Sequence, residues 1–348
     1  MRAGRVLLLL LALAGGAGLA LLSLHSKYTG FSGEVFVEIP RGTSTRQVAR
    51  LLSEAGVVRA SWQFVLARSL RPRAVIQAGE YRFDKPGSAW EVFDRMARGD
   101  VFYHELVVPE GHNLFDIASA LERLGIMPAE RFLDAARDAA LIRDLDPQAP
   151  SLEGYLFPDT YRFPRRATAI ELCRQMTDRF RHVWASLGAP AGVRDTVTLA
   201  SLVEKETALV RERPLVASVF VNRLRLQMPL QCDPTTIYAA LLEDRYRGEI
   251  YQSDLASKQR YNTYQHTGLP PGPIANPGLE SLKSALAPAE TDYIYFVALP
   301  DSSGGHQFST GLAAHQRAVA KYRRGLNQTL QTGRAGRVPG RNAAGQHH

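Results

Sequence analysis

Apolar and polar positions divide the 348-residue chain into four regimes. From position 6 to 24 there is no charged side chain, and Leu, Ala and Gly dominate. As a helix these nineteen residues would span about 28 Å, close to the hydrocarbon thickness of a bilayer. The run predicts a transmembrane helix over 6–24 behind a short stub at 1–5. From 34 to 165, short strand-like runs alternate with helical patterns. From 166 to 326, helices are expected at 168–187, 195–208, 214–226, 278–287 and 310–324, with one β-prone run at 293–299. Between 227 and 277 the prolines predict a long ordered loop, and the tyrosines at 238, 246, 251, 261 and 264 argue against disorder there. The end, 327–348, reads as a disordered basic tail. The fold class this pattern implies is α+β.

An internal repeat organises the second regime. Ile39, Pro40 and Gly42 recur as Val108, Pro109 and Gly111, and the same offset of 69 carries Val48, Ala49, Leu52 and Gly56 onto Ile117, Ala118, Leu121 and Gly125. Tyr81, Arg82 and Phe83 recur as Tyr161, Arg162 and Phe163 at offset 80, so the second copy holds eleven extra residues. Each copy predicts strand, Pro-x-Gly turn, two helices and a closing strand, with Gly56 and Gly125 ending the first helix. This βααβ order resembles the LysM fold, so 34–100 and 101–165 are expected to be two LysM-like modules preceding a domain at 166–326.

Arg2 and Arg5 precede the apolar run, so the positive-inside bias leaves the N-terminus cytoplasmic and the body outside. A cleaved signal peptide is the competing reading. The run exceeds a usual signal core, and Leu21, Leu22 and Leu24 continue it past the small residues, which favours a single-pass anchor. The net charge of +8 invites a nucleic-acid reading. Its placement removes that reading. Three basic residues and no acid precede Glu34, and seven basic residues and no acid follow Asp301, which leaves −2 for the body between. Cys173 and Cys232 lack metal or redox spacing and read as two buried thiols.

Candidate chemistry centres on the predicted helix 195–208. At about 100° per residue, Leu199, Leu202, Val203, Glu206, Leu209 and Val210 share a face, five aliphatic residues and one acid. Glu204 falls on the opposite, small and polar side. Burial among aliphatic neighbours raises a carboxyl pKa, as a general acid near neutral pH requires. An interior ion pair of Glu206 with Arg213 or Arg223 explains the same pattern, and periodicity does not separate the two. No Ser nucleophile elbow, P-loop, dinucleotide fingerprint or zinc motif is present, and His306 and His315 read as ordinary surface or core residues. No metal or cofactor is expected.

Seven strings carry a family resemblance: 153–161 (EGYLFPDTY), 199–207 (LASLVEKET), 216–224 (VASVFVNRL), 230–235 (LQCDPT), 261–264 (YNTY), 268–277 (GLPPGPIANP) and 293–297 (YIYFV). Together they resemble the YceG family, the MltG-type endolytic murein transglycosylases. The resemblance implies a lytic transglycosylase, a lyase that cleaves the β-1,4 bond between N-acetylmuramic acid and N-acetylglucosamine and leaves 1,6-anhydro ends. Its essential acid falls on Glu206. By motif position, Gln231, Asp233, Tyr261, Asn262, Tyr264 and Asn276 are expected to bind substrate, while Glu153 and Asp159 are expected to be scaffold between modules. Implied partners are peptidoglycan glycan strands and peptidoglycan synthases of the elongation or division machinery, with no nucleic acid. The implied location is the inner membrane with a periplasmic or extracytoplasmic body. Two rivals stay open: a muramidase using Asp233 or Glu212 as second carboxylate, and a non-catalytic glycan-binding adaptor.

Overall fold

The computed structural model describes residues 2–301 and 303–333, with side chains over 4–301 and 303–325. The chain folds as two compact units, one holding 1–104 with 162–166 and the other 105–161 with 167 onward.

The first unit begins with α1 (Arg2–His25), followed by β1 (Val35–Ile39), α2 (Thr45–Glu54), α3 (Ser61–Leu70), β2 (Gly79–Phe83) and α4 (Ala89–Arg98). Strand β1 pairs antiparallel with β2, with Val37 opposite Tyr81. Helix α2 starts where Ser44 and Gln47 cap each other's backbone, and Ser88 and Glu91 do the same for α4. Their apolar stripes close a core of Val48, Leu52, Phe64, Tyr81, Phe93 and Met96. Helix α1 is apolar over Gly4–His25, with a mean hydropathy of 2.4. Its leucines are exposed as far as Leu22, but Leu24 is buried in this core.

The second copy of the repeat comprises β3 (His104–Val107), α5 (Leu114–Arg123), α6 (Ala129–Arg137) and β4 (Thr160–Phe163), with β3 paired to β4. The offset of 69 is visible in the backbone. Ser44 and Asn113 are the N-caps, Ala55 and Leu124 the C-caps, and Gly56 (φ 70°) and Gly125 (φ 66°) follow in the left-handed region. The expected helix-ending glycines therefore lie one residue past the cap.

Downstream come α7 (Ala169–Ser186), α8 (Val193–Glu206), α9 (Arg213–Arg225), α10 (Asp233–Leu242), α11 (Gln252–Leu255), α12 (Leu279–Leu286), β5 (Tyr295–Ala298), β6 (His306–Ser309) and α13 (Leu312–Gly333). The buried core of this region joins Leu202 and Val203 of α8 to Val216 and Phe220 of α9, Tyr238 of α10, Tyr261 and Ile274. Three expectations change. The stretch 227–277 holds α10 and α11, because Pro234 stands in the first turn of a helix, where its missing N–H costs nothing. Strand β6 pairs antiparallel with β5. Helix α13 continues through Gly333, into the segment expected to be a tail, and 334–348 lies outside the described residues.

Candidate active site

A cleft of about 1150 Å³ opens in the second unit, and Glu206 lies in its lining at the last position of α8. The helix stops there because Thr207 turns to extended geometry (φ −140°, ψ 131°). Leu199, Leu202 and Val203 are buried as their helical face requires, but Leu209 and Val210 lie beyond the helix end and Val210 is 53% exposed. The expected six-residue face is therefore cut to four, and the acid ends it, half-buried at the cleft.

Of the two arginines considered as partners of Glu206, Arg213 pairs with Glu204, two residues earlier. Glu204 Oε1 accepts from Arg213 Nη2 at 2.8 Å and its Oε2 from the Gly278 amide at 3.0 Å, with the two side chains 5% and 6% exposed. Around Glu206 the neighbours differ. The Cys232 thiol is pushed well up by burial, and by the charge of Glu206 and a hydrogen bond to it. Burial pulls the Arg223 guanidinium down, while Tyr295 and Glu206 oppose that shift. Arg223 is held by the Ile294 and Leu230 carbonyls, both at 2.7 Å, which fixes a cation beside the acid. Both cysteines are free and buried.

Helix α10 contributes Asp233, Ile237 and Tyr238 to one wall. Asp233 Oδ1 accepts from the Tyr264 hydroxyl at 2.7 Å. Gln231, also in the lining, is exposed and has φ 51°, a conformation that costs a non-glycine residue about 1–2 kcal/mol. The opposite wall comes from β5, β6 and α13, through Tyr295, His306, His315, Gln316, Tyr322 and Arg323. His315 stacks on Tyr295 with ring centroids 4.8 Å apart, and burial, then Arg223, lowers its pKa below the ordinary imidazole range. His306 Nδ1 lies 2.8 Å from Glu212 Oε2. These two histidines were expected to be ordinary residues, and only the fold brings them to the cleft.

Of the expected substrate binders, Gln231 and Asp233 line the cleft, and Tyr264 reaches it through Asp233. Asn262 and Asn276 do not, because both are fully buried and their amides are committed to other groups of the chain, mostly backbone. Asn262 Nδ2 donates to the carbonyls of Asp254, Leu255 and Ser257 at 3.2, 3.0 and 2.7 Å. Asn276 Oδ1 accepts from the Gly154 and Leu156 amides at 2.9 and 3.0 Å, and its Nδ2 donates to His112 O and Glu153 Oε1 at 2.9 and 3.2 Å. Tyr261 is buried against Tyr238, with ring centroids 5.1 Å apart. Glu153, fully buried, has its carboxyl pushed up to about 8 by desolvation, against the hydrogen bond from the Leu114 amide. Asp159 accepts from Arg179 at 2.7 Å near the surface.

A half-buried carboxyl beside a fixed guanidinium, in a cleft with aromatic and amide lining, can move a proton on a neutral, hydroxyl-rich ligand. The YceG-like family model matches residues 37–321. An endolytic murein transglycosylase of Bacillus subtilis is 33% identical over 309 residues, covering 83% of this chain and 84% of its own. One from Streptococcus pneumoniae is 29% identical over 321 residues, covering 83% of this chain and 58% of its own. The crystal structure of a protein described as yceG-like from Listeria monocytogenes aligns with a TM-score of 0.54 and 29% identity, over 82% of this chain and 98% of that one. A family match over this length, with relatives aligned through both units, places the chain in the YceG-like family.

Proposed function

We propose that this chain is an endolytic peptidoglycan lytic transglycosylase that cleaves the MurNAc–GlcNAc β-1,4 bond within glycan strands and terminates nascent strands. The observation that carries the reading is Glu206 at the end of α8, in the lining of a cleft large enough for several sugar rings. The activity named for the Bacillus subtilis relative supports it. Glu206, protonated, gives its proton to the glycosidic oxygen as the bond breaks with oxocarbenium character. As carboxylate it then takes the proton of the muramoyl C6 hydroxyl, which closes on C1 of the same ring to give the 1,6-anhydro end. The nucleophile belongs to the substrate, so its effective molarity replaces a positioned water. Gln231 and Asp233, with Tyr264 behind it, would hold sugar hydroxyls and the N-acetyl group.

The finer parts of the reading are that the two βααβ copies are LysM-like and hold glycan, and that α1 anchors the chain with its N-terminus cytoplasmic and its body extracytoplasmic. Peptidoglycan synthases are the partners such an enzyme would meet. Hydrolysis is the second reading, since Asp233 lines the same cleft, whereas Glu212 is engaged by His306. Digesting purified sacculi and weighing the products decides between them. Anhydro-ended fragments, lost in Glu206→Gln, are expected; reducing ends would make the protein a muramidase, and intact glycan with retained binding would make it an adaptor.

A further inference from the structure

The apolar run of α1 ends inside the first unit. Leu24 is 1% exposed, Gln63 Nε2 of α3 donates to Ser23 O at 3.1 Å, and the His25 ring lies 5.6 Å from that of Trp90 in α4. A helix whose hydrophobic length matches the hydrocarbon core therefore leaves no free linker before the folded unit. Beside that junction, α3 is apolar on two faces. Gln63, Phe64 and Ala67 face the core, while Trp62, Val65, Leu66 and Ser69 line a shallow surface groove with Arg46 and Arg50 of α2. Trp62 is 49% exposed, and so is Leu70 one turn beyond the groove. Residues 41–78 hold seven arginines and one acid, Glu54; Arg50 lies 3.8 Å from Glu54 and Arg71 2.7 Å from Asp94 of α4, which leaves the arginines in excess.

We infer that this face of the first unit docks on the bilayer surface, with Trp62 at the level of the lipid headgroups and the arginines beside it on anionic phospholipid. The inference rests on α1 being a membrane anchor. Given the anchor, the short connection presses α3 against the interface, where an amphipathic indole and flanking arginines are favoured. A unit seated in this way fixes the height at which the rest of the chain begins.

The test uses the full chain in vesicles of phosphatidylcholine, with or without phosphatidylglycerol, carrying a spin label at a shallow acyl position. Tryptophan emission is read for the native chain and for Trp62→Phe, so that the difference isolates Trp62 from Trp90 and Trp184. The expected result is a quenched component that is lost in Trp62→Phe. It should deepen with phosphatidylglycerol, and that deepening should vanish when Arg46→Glu and Arg50→Glu are combined. Equal quenching of the native chain and Trp62→Phe, with the protein resisting alkaline carbonate extraction, overturns the docking and leaves the anchor standing. Extraction by carbonate overturns the anchor and the docking with it. Deepening that survives the double charge reversal overturns the arginine contact.

Discussion

Two glutamates separated by one residue have opposite fates. Glu204 is buried and bound to Arg213 and the Gly278 amide, whereas Glu206 lies half-buried at the cleft. Removing one partner of a buried pair strands the other charge, so Arg213→Ala should cost roughly 3–5 kcal/mol. Denaturant unfolding checks this, and Glu206→Gln, which keeps the side chain's size but removes a charge beside Arg223, should cost less than Arg213→Ala while abolishing product. Helical periodicity placed Glu206 among aliphatic neighbours, which are buried as far as Val203, but assigned Glu204 to a small, polar side. The ion pair of Glu204 depends on Arg213, which starts the next helix, and a helical wheel contains no information about that helix. Glu153 gives a pH test. Its carboxyl rises from 4.5 to about 8 on folding, so between those values the unfolded chain has released a proton that the folded chain keeps. The resulting stability is complete below about pH 4.5 and is lost as pH rises toward 8. Urea midpoints of the native chain should fall relative to those of Glu153→Gln across this window; parallel curves would count against a neutral, buried Glu153.

At the level of elements, the repeat is the most legible part of the sequence. Its two copies share cap positions and left-handed glycines because both were specified by local signals, a capping residue, an apolar stripe and a glycine. What differs is the surroundings. A Cβ at Gly125 meets nothing within 4 Å, so Gly125→Ala should cost only the left-handed backbone term, about 1–2 kcal/mol. A Cβ at Gly56 would lie 2.6 Å from the Gly30 carbonyl carbon, so Gly56→Ala should lower the thermal midpoint further. Equal shifts would mean that Gly30 yields freely. Helix α10 was hidden because Pro229, Pro234 and the later prolines read as loop, although a proline in the first turn is a helix start signal. The wall formed by β5, β6 and α13 was not legible as part of a site, since its residues lie about 90 to 120 positions from Glu206 and its β5 string 293–297 reads only as a β-prone run.

Across the whole chain, charge and connectivity divide the labour. The body between Glu34 and Asp301 carries a net charge of −2, in keeping with a neutral sugar substrate, and the excess positive charge lies near the two ends. The mixture of helices and strands and the helix that ends at Glu206 were readable because they depend on periodicity and local signals. The grouping into units was not, because it depends on contacts such as that between Asn276 and His112, 164 positions apart. That single amide also imposes a sequence of events on biogenesis. The second repeat copy emerges early from any ribosome or translocon, yet the amides of Gly154 and Leu156 and the carbonyl of His112 wait for a side chain made much later. Until position 276 has been delivered, this region is an unfinished surface with unpaired backbone groups, available to chaperones and proteases. The chain therefore acquires a sealed second unit, and with it a cleft, only near the end of its synthesis.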